Sequence, residues 1–249
     1  MGLYQRLYQV YFAMERRIVP GLRHTQSRYH DALRELAAER PRWLDLGCGW
    51  HLLREWQEAE ERELVSSVPL LVGLELDEAA LRKHRTIGPK VVGDVSRLPF
   101  QDGSFDLVSA NMVVEHLEEP ALQFSEIQRV LRPGGSFVFH TPNLHGYIAR
   151  IAAALPEGLK GSLISVLERR KSEDVYPTFY RANTAEQVEA LAQRTGFEVV
   201  RIARVTTTAQ TAIVPPLALA ELLWLRMLER NPALERYRTN LIVQLRRAA

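Results

Sequence analysis

The residues most able to handle a ligand come early, in the stretch RWLDLGCGWHLL, Arg42–Leu53. An apolar run there carries Asp45 and breaks at Gly47 and Gly49, with Cys48 between them, where a strand ends and a helix is expected to begin. Two glycines at such a junction permit unusual backbone angles and close approach, which suits a nucleotide-like ligand. The next apolar run, LLVGLEL, ends at Glu75, 26 residues beyond Gly49, where a carboxylate can accept both hydroxyl protons of a ribose; the other reading is a solvated strand end. A dinucleotide turn wants a third small residue at position 52, and Leu52 stands there, which argues against NAD.

Proton transfer has fewer candidates. His116, in VVEHL, carries an imidazole suited to taking a proton from a hydroxyl or ammonium acceptor near neutral pH, or it is a helix-start or packing histidine. Glu115 beside it reads as a helix-entry acid or a cofactor-side hydrogen-bond partner. In HTPNLHGY, Asn143 and His145 are loop candidates for substrate contact, whereas His140 alternates with Val138 and reads equally as a buried strand residue. Tyr176, Tyr180 and Arg181, with Phe179, stand next to Pro177, a composition suited to gripping an aromatic or glycosyl acceptor or to packing on the core. The histidines lack paired helical spacing with a carboxylate, so no metal site is expected.

These residues need a frame. RWLDL, LLVGLEL, KVVGDV, FDLVSANMV, GSFVFHT, FEVVRIARV and NLIVQLRRA alternate with helical stretches, which argues for an α/β fold with a largely parallel sheet covered by helices on both faces. Residues 3–40 read as two helices broken at Val19–Gly21, an N-terminal helical cap or lid (1–40) ahead of a domain spanning 41–249. Two connections, 142–184 and 206–239, exceed ordinary length, and such extra structure usually shapes a binding site.

Taken in order, DLGCG, GLELD, GDVSRLPFQDGSFDLVSANMVVEHL and RVLRPGGSFVFHTPN resemble the class I S-adenosylmethionine-dependent methyltransferases, in the branch acting on small molecules. The resemblance covers roughly residues 40–145. It implies a Rossmann-like seven-stranded sheet, mostly parallel with the last strand antiparallel, and S-adenosylmethionine held at the carboxyl ends of the first strands. Carried over residue by residue, it implies that Asp45, Gly47, Cys48 and Gly49 receive the methionine portion, Glu75 with Leu76 the ribose, and Asp94 with Val95 the adenine. Asn111 would lie near the cofactor amino group. His116 resembles an acceptor-side position where some relatives use a histidine base. Many members carry a third glycine where this chain has His51, beside the bulky Trp50. The activity implied is methyl transfer to a small molecule, foremost to a hydroxyl of a glycosyl, quinone-like or lipid-linked compound. The alternatives are N-methylation of an amine and a non-catalytic protein of the same fold.

Composition limits the partners. Lys+Arg 32 against Asp+Glu 30, net +2, gives no footprint for a polyanion, and the Asp/Asn-Pro-Pro-aromatic motif used on base amines is absent after SAN, so no nucleic acid is expected. The single Cys48 excludes an internal disulfide, and with no secretory pattern at the start of the chain the expected compartment is the cytoplasm. The apolar stretch 212–228, AIVPPLALAELLWLRML, is broken by Pro215, Pro216, Glu221 and Arg226, so it should not cross a bilayer. Its helix packs on the domain or across a homodimer, or else it offers a membrane-surface contact or a wall for a lipid-linked acceptor.

Overall fold

The structure is a computed structural model that describes residues 2–54, 57–154, 176–208, 211–212 and 214–248. Seven strands form one sheet: β1 (Arg42–Leu46), β2 (Leu70–Glu75), β3 (Lys90–Val92), β4 (Phe105–Asn111), β5 (Leu131–Pro142), β6 (Phe197–Val205) and β7 (Asn240–Arg247), in the order β3-β2-β1-β4-β5-β7-β6. β1 pairs in parallel with β2 and β4, β2 with β3, and β4 with β5, while the last strands run antiparallel. β1 and β2 are buried along nearly their whole length because both faces are covered, as a parallel sheet requires. The order reverses between β1 and β4, the switch point outside whose strand ends sheets of this kind bind their ligands.

Eight helices are described: α1 (Leu3–Ile18), α2 (Thr25–Ala37), α3 (Glu58–Ser67), α4 (Glu78–Lys83), α5 (Pro120–Val130), α6 (Tyr147–Ala154), α7 (Ala185–Arg194) and α8 (Pro215–Arg230). On α5, Phe124, Ile127 and Val130 recur at helical spacing, and Phe124 meets Phe137, Phe139 and Phe197 edge-on with ring centroids 5.4–6.4 Å apart. Thr184 opens α7 with a reciprocal cap: its hydroxyl accepts from the Gln187 N–H at 3.2 Å while Gln187 Oε1 accepts from the Thr184 N–H at 3.1 Å.

Three expected boundaries move. The helix expected straight after the glycine turn starts only at Glu58, because Leu52 and Leu53 are first buried and the Leu53 N–H donates to Glu61 Oε2 at 2.8 Å. The third strand stops at Val92, and the fourth ends at Asn111 because Met112 adopts a left-handed backbone, φ +57°. The fifth strand begins earlier than GSFVFHT, at Leu131, with an irregularity in its pairing between Phe105 and Leu107.

Contacts group the chain into two units. The first, Met1–Ser27, Asn143–Pro177 and Arg204–Asn240, joins the first helix to both long connections, and the division falls within α2 rather than at residue 40. Its core holds Tyr11, Val19, Tyr147, Ala218, Leu222 and Leu225. Glu221 lies among them, accepting from the Tyr147 hydroxyl at 2.6 Å and from the N–H and hydroxyl of Thr211 at 2.9 and 2.6 Å. The second, Arg28–Pro142, Thr178–Ala203 and Leu241–Ala249, contains the body of the sheet and its main core. Among the described residues no helix is long and apolar enough to cross a membrane.

Candidate cofactor and active site

Gly47 and Gly49 both take left-handed backbone angles, φ +62° and +53°, which turn the chain sharply at the end of β1. Gly47 has a second reason to lack a side chain: a Cβ there would lie 2.4 Å from Val113 Cγ2. Val113 therefore packs directly on the turn, and it is the residue that precedes the short 3-10 helix Val114–His116. Gly49 is the opposite case, since a Cβ would meet nothing within 4 Å. The backbone is thus open to a ligand at Gly49 and closed on the protein at Gly47.

Glu75 fastens this turn to the end of β2. Its Oε2 accepts from the Gly49 N–H at 2.9 Å, and Oε1 accepts from the N–H groups of Leu76 and Asp77 at 2.8 and 3.0 Å. A carboxylate has about four lone-pair sites, so three N–H donors leave room for a hydroxyl. Leu76 itself is exposed. Asp77 caps α4, accepting from the Ala79 N–H at 2.7 Å, as its position before a helical run implies. Beyond β3, Asp94 Oδ1 accepts from the Ser96 N–H at 2.8 Å, which fixes an exposed turn through the half-buried Val95.

Beneath the turn the polar groups are paired internally. Trp43 Nε1 donates to Ser109 Oγ at 2.7 Å, and Ser109 donates to Asp45 Oδ1. Burial pushes the Asp45 carboxyl up to about 7, the Ser109 hydrogen bond opposes this, and the charges of Glu61 and Glu75 add to it. Cys48 belongs to the turn with its side chain inward: its Sγ is buried against Gly73, where a Cβ would come within 2.7 Å, and its N–H is taken by the Leu74 carbonyl at 3.2 Å. Burial also raises its thiol pKa, so it is no nucleophile.

On the β4 side, Asn111 Oδ1 lies 3.0 Å from His140 Nδ1, and the fully buried His140 ring stacks on Tyr29 of α2 with centroids 5.7 Å apart. The strand reading of His140 holds. His116 is half-buried in its 3-10 helix. Its neighbour Glu115 is buried, and the carboxylate accepts from Thr141 Oγ1 at 2.9 Å, which in turn accepts from Asn183 Nδ2 at 2.7 Å. The Glu115 carbonyl takes the N–H groups of Phe179 and Tyr180 at 2.8 and 3.1 Å. One residue therefore ties the 179–183 segment to the helix that carries His116.

Tyr180 sits there with φ +53°, and Arg181 lays its guanidinium 5.5 Å from the Phe179 ring while donating to the Glu118 carbonyl. Asn143 is corrected as a substrate ligand. It is buried, its amide donates to the carbonyls of Arg236 and Arg238 at 3.0 and 2.7 Å, and its Oδ1 accepts from the His145 N–H at 3.0 Å. Asn143, His145 and Tyr176 belong to the first unit, and His116 belongs to the second. The remaining segment, 169–175, lies outside the described residues.

His51, at the position where many members of the resembled family carry a third glycine, meets its neighbour Trp50 edge-on at 5.5 Å, with Lys83 5.2 Å over the exposed indole. A cavity of ≈350 Å³ beside them is lined by Arg54, Glu58, Glu61, Lys83, Arg85 and Thr86 rather than by Glu75 or Asp94. Among the described residues no group of His, Cys, Asp or Glu is placed to hold a metal ion. Ser109, Glu61, Thr141 and Asn183 are the contributors that sequence reasoning missed. Ser109 alone signals itself, as a polar residue inside an apolar strand run.

Residues 44–139 match the family model of a methyltransferase domain. Over those residues the chain is similar to a methyltransferase domain, of the class I, S-adenosylmethionine-dependent kind that its motifs and fold resemble. It is 35% identical over 136 residues, 51% of the chain and 50% of the relative, to a protein described as a probable S-adenosylmethionine-dependent methyltransferase from Mycolicibacterium smegmatis. It is 32% identical over 121 residues, 46% of the chain and 41% of the relative, to the malonyl-[acyl-carrier protein] O-methyltransferase of Legionella pneumophila. The chain thus spans half or less of these relatives' lengths. In fold it is similar to an S-adenosylmethionine-dependent methyltransferase from Mesorhizobium loti, with a TM-score of 0.53 at 21% identity, covering 87% of this chain and 96% of that one. The methyltransferase domain turn and the Glu75 clasp fit the cofactor: the space over Gly49 is open, and Glu75 keeps acceptor capacity.

Proposed function

We propose that this chain transfers a methyl group from S-adenosylmethionine to a hydroxyl oxygen of a small molecule. The observation that carries the reading is the Glu75 carboxylate bonded to the Gly49 N–H at 2.9 Å beside a backbone with open space above it. Bound there, S-adenosylmethionine supplies an electrophilic methyl carbon on a sulfonium sulfur. The chain's residues divide the remaining work. Gly49 offers its backbone to the methionine portion and Gly47 makes the turn that presents it, with Asp45 and Cys48 holding the turn from within. Glu75 and Leu76 take the ribose, Asp94 and Val95 the adenine, and Asn111 the amino end.

His116 takes the acceptor proton, worth about 10²–10⁴ in rate when geometry is right. Tyr180 and Arg181 face the acceptor, on a segment that Glu115 anchors to the His116 helix. Alignment and exclusion of water supply the rest, because an in-line displacement asks for little more. The acceptor classes proposed are glycosyl, quinone-like and lipid-linked hydroxyl compounds. The names of the malonyl-[acyl-carrier protein] relatives add a carboxylate oxygen to the panel.

Transfer of isotopically labelled methyl from S-adenosylmethionine, assayed over phenolic glycosides, quinols, polyprenyl alcohols and malonyl thioesters, tests the reading. Labelled ether product supports it, labelled ester moves the acceptor to a carboxylate, and labelled amine alone favours the N-methylation alternative.

A further inference from the structure

The first unit wears an outer surface unlike that of the rest of the chain. Nine of the fifteen large apolar side chains exposed among the described residues belong to it, although it is the smaller part. On α8, Leu219, Leu223 and Met227 recur every four residues and run into the exposed Arg230, on the side opposite the buried Ala218, Leu222 and Leu225. On α1, which packs with α8 in the same core, the exposed Val10 and Phe12 are flanked by exposed Arg6, Arg16 and Arg17. These apolar residues are each 43–53% exposed. The stripe on α8 is more than scattered surface leucines.

Charge sorts the same way. The described residues of this unit hold ten Arg and no Lys against four Glu and no Asp, a net +6 in a chain whose total is +2. The acids of α1 and α8 do not share the exposed faces: Glu15 accepts from the Tyr11 hydroxyl, Glu221 is held by Tyr147 and Thr211, and Glu229 lies 3.9 Å from Arg238. What remains outward on both helices carries no acid: α1 shows Gln5 and Gln9 with its arginines, and α8 its apolar stripe and Arg230.

We propose that the outer faces of α1 and α8 together dock on an anionic lipid surface. Leucine, methionine and phenylalanine enter the acyl boundary while the arginines meet the phosphates, the division of labour of an interfacial helix. A second copy of the chain fits this face poorly, because a two-fold contact would set arginine against arginine. The proposal stands apart from the chemistry, since a surface-bound chain need not methylate lipid.

Co-sedimentation of the full chain with phosphatidylcholine vesicles, with and without phosphatidylglycerol, reads this directly. Binding should require phosphatidylglycerol, weaken with salt, and drop about 10-fold or more in the variants Leu219→Glu/Leu223→Glu and Arg16→Glu/Arg17→Glu. Val200→Glu, on the exposed part of β6, should bind like the wild type, and thermal melts should show every variant folded. Failure of the wild type to bind at low salt, or equal binding by folded variants, overturns the proposal. So does a dimer in sedimentation equilibrium that Leu223→Glu dissolves while vesicles capture nothing.

Discussion

The Gly49 N–H lies 2.9 Å from Glu75 Oε2, so the turn after β1 and the end of β2 are closed on each other by the carboxylate proposed to take the ribose. The same group thus shapes the site and serves it. Removing it has two consequences, a looser turn and a lost ligand acceptor, and only the second shows in binding alone.

The two glycines separate fold from function. Gly47→Ala forces a Cβ to within 2.4 Å of Val113 Cγ2 at φ +62°, and should cost about 2 kcal/mol or more. Adding Val113→Ala should recover part of that loss. Gly49→Ala meets open space and should cost only about 1–2 kcal/mol of backbone strain, yet weaken cofactor binding. Urea melts of the three variants check the order; a Gly47→Ala protein as stable as the wild type contradicts the packing of Val113 on the turn.

Asp45 should make the protein lose stability as pH rises. Its folded pKa, about 7, stands above the ordinary 3.8, so the folded state holds the proton more tightly. The group's contribution is full below about pH 4 and is lost on the way up through pH 7. Asp45→Asn keeps an acceptor for Ser109 and removes the buried charge. It should gain on the order of 2–4 kcal/mol over the wild type at pH 8 and little at pH 4, read from melts across that range.

Two buried histidines act in the other direction. Burial holds His30 and His84 at about 4, below the ordinary 6.5, so between these values the unfolded chain takes up protons that the folded chain refuses. Stability therefore falls as pH drops from 6.5 to 4. His30→Leu should flatten that limb and leave melts at pH 8 within about 1 kcal/mol of the wild type. An unchanged acid limb would show that His30 is not held neutral.

The frame was legible because largely apolar runs such as LLVGLE mark buried parallel strands, and because Gly47 and Gly49 mark by type and spacing the sharp turn at the end of β1. The start of α3 was not, since nothing local tells that Leu52 and Leu53 are buried before the helix begins. Asn143 looks like an exposed loop amide in sequence and is a buried pin between chain segments some 95 residues apart. The first unit is assembled from three distant segments, and no local pattern records that they share a core.

His116 separates a base from a bystander. His116→Gln should leave cofactor affinity within about twofold and slow single-turnover methyl transfer by about 10²–10⁴. An unchanged chemical step in the folded variant removes His116 from the catalytic set.

Calorimetry with S-adenosylmethionine and its demethylated product tests the central claim most directly, with NAD as the control. The wild type should bind both, NAD should give no heat because Leu52 blocks a dinucleotide turn, and Glu75→Gln should lose about 1.5–3 kcal/mol of binding, roughly 10- to 150-fold. No binding by the wild type, or undiminished binding by a folded Glu75→Gln, would contradict it.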